Sequence, residues 1–258
     1  MTAAGFAPEW LALREHADAE ARAADLLGPL RAALARRSPF RPRLVIRDLG
    51  CGTGSMRRWL TGRLDQPQHW ILHDRDPQLL ALAAATALGS VETREGEIAD
   101  LRGDDLAGTS LVTASALLDV LTASEADALA TACVDAGCPA LLTLTVTGHV
   151  ELDPPGPLDD RFEAAFNQHQ RRHLLGPDAL GHAVAAFQDR GARVITRPSP
   201  WRLGPGRLTE EWLRGWLGAA CEQDPDLAAS APGYLQRAGD LRVVVHHADL
   251  LALPGERA

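Results

Sequence analysis

Short apolar runs alternate along the chain with longer segments in which apolar residues recur every three or four positions. Runs of the first kind predict buried strands, and segments of the second kind predict amphipathic helices. The predicted strands, in chain order, are LVIRDL, HWILHD, VETREG, SLVTAS, PALLTLTVTG, ARVITRP and LRVVVHHADLLAL. Helix patterns such as PQLLALAAATAL and GPDALGHAVAAFQDRG separate most of them. Such alternation predicts an α/β fold with a mostly parallel sheet and helices on both of its faces.

The two ends of the chain depart from this alternation. Residues 6 to 37 have a helical period throughout and are followed by SPFRPR, so residues 1–40 are predicted to be an N-terminal helical extension or lid. Residues 41–258 form the main domain, and no crossover helix follows its final apolar run, which is therefore predicted to lie antiparallel beside ARVITRP. An insertion at about 149–176, rich in polar and aromatic groups, lies where α/β sheets recognise substrates.

Composition excludes several classes of function. The net charge of -8 gives no basic footprint for nucleic acid, so a nucleic-acid partner is not favoured. All 26 basic residues are arginine, which excludes a Schiff-base lysine, a pyridoxal phosphate anchor and a P-loop lysine. Codon bias in a GC-rich genome is the simplest explanation of that absence.

The distribution of charges and the spacing of the cysteines predict a cytoplasmic protein without a metal. Charges interrupt every apolar run before about 18 residues, and the first twenty residues carry acids and lack a basic region followed by an apolar one. We therefore expect a cytoplasmic protein that does not enter a membrane. The four cysteines form neither a CxxC pair nor a Cys/His cluster with zinc-ligand spacing, so we expect reduced thiols and no metal.

The stretch LVIRDLGCGTGSM carries the strongest functional signal. A strand leads through Gly50, Gly52 and Gly54 into a helix, and glycines there permit a tight turn and close approach of a ligand to the backbone. A dinucleotide fingerprint would place its third glycine at position 55, where this chain has Ser55. Asp48, two residues before the first glycine, suits a positively charged ligand better than a pyrophosphate.

This stretch resembles the first motif of class I S-adenosylmethionine-dependent methyltransferases, which runs strand, acid, x, GxGxG, helix. The motifs that carry the resemblance span about residues 44 to 147, and the remainder agrees only in the order of its elements. The resemblance implies a Rossmann-like three-layer sandwich with a seven-stranded, mostly parallel sheet in the order 3-2-1-4-5-7-6, the last strand antiparallel. It also implies S-adenosyl-L-methionine as cofactor, bound in part by Asp48, Gly50, Gly52 and Gly54.

Further cofactor residues follow from the same resemblance. In WILHDRDP, Asp74 stands twenty residues after Gly54, where the family holds the ribose hydroxyls with an acid, and Arg75 lies beside it. Asp76 could take the ribose instead, although an Asp followed by Pro fits a helix N-cap better. Two later stretches, EGEIADL and LVTASALLDVL, resemble the adenine and methionine segments and add Glu97, Ile98, Asp100 and Ser115.

Candidates for the acceptor side lie near the carboxyl ends of the fourth and fifth strands. A general base is needed only if the acceptor is protonated at the working pH. Asp119, His149 and His169 could serve, and His149 is our first choice because it is expected just beyond the fifth strand and an imidazole titrates near neutrality. Substrate contacts are expected from a further set, although ordinary packing would also explain each of them: Arg14, His16, Phe166, Arg172 and Trp201.

We therefore expect methyl transfer by in-line displacement to an oxygen or nitrogen of a small molecule. The chain has neither an NPPY-type run after the fourth strand nor a PC dipeptide, the signatures of amino methylation and of cytosine C5 methylation. Two alternatives stay open: a nicotinamide-dependent oxidoreductase on a Rossmann sheet, and a cofactor-binding relative that does not transfer methyl groups. The expected partner is the small-molecule substrate, and a homodimer is left open.

Overall fold

Within residues 7–37 and 43–255, the part of the chain that the computed structural model describes, eight strands form one mixed sheet. The strands are β1 (Leu44–Leu49), β2 (Gln68–Asp74), β3 (Ser90–Glu95), β4 (Leu111–Ser115), β5 (Ala140–Asp153), β6 (Arg193–Pro198), β7 (Trp201–Leu203) and β8 (Arg242–Leu253). The α-helices are α1 (Pro8–Ala21), α2 (Leu27–Arg37), α3 (Ser55–Thr61), α4 (Pro77–Ala85), α5 (Ala123–Asp135), α6 (Asp159–Gln170), α7 (Ala179–Asp189), α8 (Arg207–Gln223) and α9 (Ala231–Gln236).

The sheet has the order β3-β2-β1-β4-β5-β8-β6, with the first five of these strands parallel. Strand β8 is antiparallel to both β5 and β6, so the predicted order and the reversed last strand are confirmed. The structure adds β7, which pairs with β8 and gives eight strands instead of seven. Pro200 lies between β6 and β7, where its lack of an N–H interrupts the ladder.

Helices cover both faces of the sheet. On one face α5 and α7 pack on the central strands, with Leu129 and Phe187 against Leu142 and Leu250. On the other face α2, α3 and α4 cover strands β1 and β2. A third apolar cluster, from α6, α8 and α9, lies over the outer halves of β5 and β8. The predicted insertion therefore contributes α6 to a separate layer beside the central sandwich.

Strand β5 is longer than the sequence pattern predicts. The apolar run ends at Gly148, whereas the strand continues to Asp153 because β8 pairs with it again from Val150 to Asp153. Two register shifts interrupt the pairing, between Leu142 and Thr145 and between Val146 and Val150. His149 therefore lies within the strand, and the expectation that it follows the strand is wrong.

The N-terminal extension contains two helices instead of one continuous one. Helix α1 ends at Ala21, and the Ala23 N–H donates to the Asp249 carboxylate on β8 at 2.8 Å. This bond takes the backbone out of helical geometry before α2 begins. Most of SPFRPR, and residues 1–6 of the predicted extension, lie outside the described residues. No helix in the described ranges has both the length and the apolar character needed to cross a bilayer.

Candidate active site

The glycine loop follows β1 and runs into α3. Gly50, Gly52 and Gly54 have φ angles of 58°, 54° and 85°, a left-handed conformation that other L-residues adopt only at a cost of roughly 1–2 kcal/mol. Side chains would also be crowded there, because a Cβ at Gly50 would lie 3.0 Å from Leu117 and one at Gly52 would lie 3.1 Å from Leu11. The loop is therefore bare backbone, covered in part by α1.

Two acids beside the loop have separate structural roles. At the end of β2, the Asp74 carboxylate accepts from the Gly52 N–H at 2.8 Å and from the Asp76 N–H at 3.0 Å. The Asp76 carboxylate accepts from Gln78 N–H at 2.8 Å and caps α4, as its sequence context predicts. Asp74 is thus held against the glycine loop, and Asp76 serves the helix.

Asp48 is a buried carboxylate with one unused oxygen. Its side chain is 1% exposed, and Oδ1 accepts from the Thr113 hydroxyl at 2.8 Å. Oδ2 is buried and has no hydrogen-bond partner. Burial raises the pKa of Asp48 to about 7, which the Thr113 hydrogen bond and the charge of Arg22 oppose. An unpartnered buried carboxylate oxygen is costly, which makes Oδ2 of Asp48 a candidate ligand contact.

Arg22 supplies the matching positive group. It follows α1, is 3% exposed, and donates through Nη2 to the hydroxyls of Ser55 at 3.2 Å and Ser115 at 3.0 Å. Its Nε and Nη1 atoms are buried without partners. Burial lowers the pKa of Arg22, while Asp18, Asp249 and Asp48 oppose that shift. The sequence gives no motif for Arg22, because it lies in an Ala-rich helical stretch and becomes a site residue only through folding.

The predicted adenine segment forms a single turn, Ile98–Asp100, after β3. Ile98 is half-buried and packs against the core, while Glu97 and Asp100 are exposed. Arg75 is also exposed. Nearby, His73 is buried with Nε2 at 3.1 Å from the Gly96 carbonyl oxygen, and burial lowers its pKa.

Asp119 lies in the turn Leu118–Val120, just beyond the carboxyl end of β4. Its Oδ1 atom is buried without a partner, and burial raises the pKa of Asp119 to about 6, which the charge of Arg14 opposes.

Arg14 on α1 is paired with Asp18 at 3.0 Å and lies 4.9 Å from the centroid of the Trp201 ring. Trp201 is itself buried and donates to Asp18 at 3.1 Å. Helix α1 therefore packs against β7 through these side chains.

The structure does not bring the other acceptor-side candidates to Asp119. His169 contacts Glu222 at 3.0 Å and Arg172 contacts Gln223 at 2.7 Å, so both side chains face the end of α8. His16 is exposed on α1 beside Glu20, and Phe166 packs in the cluster under α8.

His149 is also distant from the carboxyl end of β4. Ser115 pairs with Thr143, and His149 is six residues further along β5. At about 3.3 Å per residue, that separation is up to about 20 Å.

Comparisons with known proteins agree with this architecture. No family model matches the chain, and no curated protein matches its sequence. Among solved structures, YcgJ from Bacillus subtilis has a TM-score of 0.54 and 13% identity over 89% of this chain and 100% of its own. A chain from the complex of the Haloferax volcanii methyltransferase activator Trm112 with a protein assigned as a methyltransferase has a TM-score of 0.53 and 14% identity, covering 97% and 94%.

A protein from Bacillus halodurans, also assigned as a methyltransferase, has a TM-score of 0.51 and 13% identity, covering 87% of this chain and 98% of its own. Likenesses at these identities concern the fold. The chain has the Rossmann-like fold of the class I methyltransferases, as the glycine motif predicts.

Proposed function

We propose that the chain is an S-adenosylmethionine-dependent methyltransferase that acts on an oxygen or nitrogen nucleophile of a small molecule. The fold supports methyl transfer in general. The observation that carries the proposal is the pair of buried, unpartnered groups at the glycine loop, Asp48 Oδ2 on one element and the Nε and Nη1 atoms of Arg22 on another.

These groups fit the amino-acid end of S-adenosylmethionine. That end bears an ammonium group and a carboxylate, for which the Asp48 oxygen is an acceptor and the Arg22 nitrogens are donors. Charge-assisted hydrogen bonds of this kind are about twice as strong as neutral ones. A nicotinamide dinucleotide would instead bring a pyrophosphate towards the Asp48 carboxylate, and it would find Ser55, already bonded to Arg22, at the place of its third glycine.

The nucleoside end would use the residues beyond the loop. The Asp74 oxygens each have one backbone donor and keep lone pairs for the ribose hydroxyls. Ile98 would pack on the adenine, with Glu97 or Asp100 accepting from its amino group.

On the acceptor side, Asp119 is the better candidate for holding a proton than His149. The cofactor supplies a methyl group on a positively charged sulfur that is already activated for nucleophilic attack. The chain has to align an acceptor and exclude water, and positioning alone can contribute several kcal/mol. Asp119 lies beside the end of β4 with a free buried oxygen, and burial raises its pKa to about 6, a range suited to accepting a proton near neutral pH. Arg14, whose charge acts on Asp119, and Trp201, which lies against Arg14, would line the acceptor side.

A binding experiment tests the cofactor assignment. S-adenosylhomocysteine and methylthioadenosine share the nucleoside, but only the first has the amino-acid end. Arg22→Gln is expected to weaken S-adenosylhomocysteine binding ten- to a hundredfold in calorimetric titration and to change methylthioadenosine binding less than twofold. Arg31→Gln, a surface arginine that bonds the Arg63 carbonyl, is the matched control and should change neither.

Equal losses for both ligands would contradict the role of Arg22, and saturable binding of NAD in place of S-adenosylhomocysteine would overturn the cofactor. Transfer itself is tested with methyl-labelled cofactor and pooled small metabolites. Cofactor binding without release of a methylated product from any pool would instead favour the relative that does not transfer methyl groups.

A further inference from the structure

The outer halves of β5 and β8 bring two histidines face to face. Val150 pairs with Val245 and Glu151 with Val244, and His149 and His246 lie beside these pairs, where a register shift between Val146 and Val150 interrupts the ladder. Their ring centroids are 4.7 Å apart. Side chains two residues apart on a strand share a face, which adds Glu151 to the same side of the sheet as His149.

The potential ligand atoms of these three residues converge. His246 Nε2 lies 2.7 Å from Glu151 Oε1, and His149 Nε2 lies 3.9 Å from the same oxygen. The three residues each offer a ligand atom, and all of these atoms lie within 4.8 Å of one another. Two imidazoles and a carboxylate are a ligand set that suits Zn²⁺ and similar divalent transition metals.

A fourth residue, Glu163 on α6, orients one of the histidines. Its Oε2 atom lies 3.1 Å from His149 Nδ1 and accepts from the Val150 N–H at 2.7 Å. If His149 donates its Nδ1–H to this carboxylate, its Nε2 lone pair is free on the side of Glu151 and His246. Carboxylates that hold a metal-binding histidine through its other nitrogen are a regular feature of protein metal sites.

We propose that His149, Glu151 and His246 bind a divalent transition-metal ion of the Zn²⁺ type, with Glu163 as the positioning residue. His149 and Glu151 are more than half exposed, so an ion has direct access from solvent. Three protein ligands leave at least one position open to water or to an oxygen of a bound small molecule. The proposal concerns residues outside the glycine loop and stands whether or not the chain uses S-adenosylmethionine.

The sequence does not reveal this site because its ligands do not form a local motif. Glu151 and His246 are 95 residues apart and become neighbours only because β8 runs antiparallel to β5. His149 and Glu151 alone give no more than an alternating pair on a strand.

Metal titration of the full chain, freed of any affinity tag and treated with a chelator, tests the proposal. We expect one Co²⁺ per chain by visible absorption spectroscopy, displaced by Zn²⁺, with a dissociation constant of about 10 μM or lower. His246→Ala and Glu151→Gln should each weaken binding at least a hundredfold. Glu163→Gln should weaken it about tenfold, within the range found for such outer residues, without changing the melting temperature in the presence of chelator.

His182→Ala is the matched control. His182 also pairs with a carboxylate, that of Asp127 at 3.2 Å, but it lies outside the cluster of His149, Glu151 and His246. It should bind Co²⁺ like the wild-type chain. Absence of saturable Co²⁺ and Zn²⁺ binding would overturn the proposal. Wild-type affinity in His246→Ala and Glu151→Gln, with both variants folded in chelator, would overturn it as well.

Discussion

Two buried aspartates show how differently the two halves of the sheet use a carboxylate. Asp48 and Asp249 are each 1% exposed, and burial raises the pKa of both. Asp249 accepts from the Leu144 N–H at 2.8 Å, the Ser199 hydroxyl at 2.5 Å and the Ala23 N–H at 2.8 Å. Asp48 has one partner, Thr113, and leaves Oδ2 unused.

The two carboxylates therefore have different roles. Asp249 connects the N-terminal extension, the first register shift of β5 and the segment before β7, so its hydrogen bonds stabilise the fold. Asp48 bears the cost of burial without a full set of partners, which is common where a ligand completes the set. Replacing Asp249 should therefore harm stability most, whereas changes around Asp48 should harm ligand binding most.

The largest effect is expected for Asp249→Ala. The backbone N–H groups of buried Leu144 and of partly buried Ala23 would lose their acceptor, and we expect a loss of about 3–5 kcal/mol in the free energy of unfolding measured with urea. Ser199→Ala removes only one donor to the same carboxylate and should cost about 1 kcal/mol. Similar losses for the two variants would show that Asp249 is not the connecting residue.

Gly52→Val should reduce ligand binding at the glycine loop and leave the fold intact. Valine would be strained at a φ of 54°, and its side chain would meet Leu11 and occupy the ligand's path. S-adenosylhomocysteine affinity should fall more than a hundredfold, about 2.7 kcal/mol, while circular dichroism still shows a folded chain. Normal titration of this variant would mean that the loop does not face the ligand.

Asp74→Ala should have a smaller effect on binding. The loss of paired ribose hydroxyls predicts about tenfold weaker S-adenosylhomocysteine binding, near 1.4 kcal/mol. Asp76→Ala is the control, because that carboxylate caps α4 and should affect stability without a comparable change in affinity. Unchanged affinity in Asp74→Ala would remove Asp74 from the ribose role.

Asp48→Asn should have the smallest effect, a change in how the melting temperature depends on pH. The folded pKa of Asp48, about 7, is above its unfolded value of 3.8, so the folded chain binds the extra proton and the wild type loses stability as pH rises from about 4 to 7. Asn lacks this dependence. The melting temperature of the variant minus that of the wild type should increase over that range and stay constant above about pH 7. Taking the difference removes the opposing contribution of His247, whose pKa burial lowers to about 3.

The sequence predicts the first half of the molecule well. The resemblance of the glycine motif to a known family implies the sheet order. Strand and helix periods are local, so most elements, the loop at Gly50 to Gly54 and the role of Asp76 as a cap follow from neighbouring residues. Those signals do not depend on contacts between distant parts of the chain.

Predictions from the sequence are wrong or missing where contacts between distant segments determine the position of a residue. Arg22 reaches Ser115, 93 residues away, and no local pattern marks it. Partners on β8 extend β5 past Gly148, which moves His149 into the strand and away from the end of β4. His169 and Arg172 both contact the end of α8, and Arg172 lies beyond the end of α6 at Gln170.

A crystal structure of the complex with S-adenosylhomocysteine tests the central claim most directly. The account predicts that the ligand's ammonium group lies within hydrogen-bond distance of Asp48 Oδ2 and that its carboxylate accepts from Nε or Nη1 of Arg22. A complex in which the amino-acid end lies elsewhere and these three atoms stay without partners would contradict it.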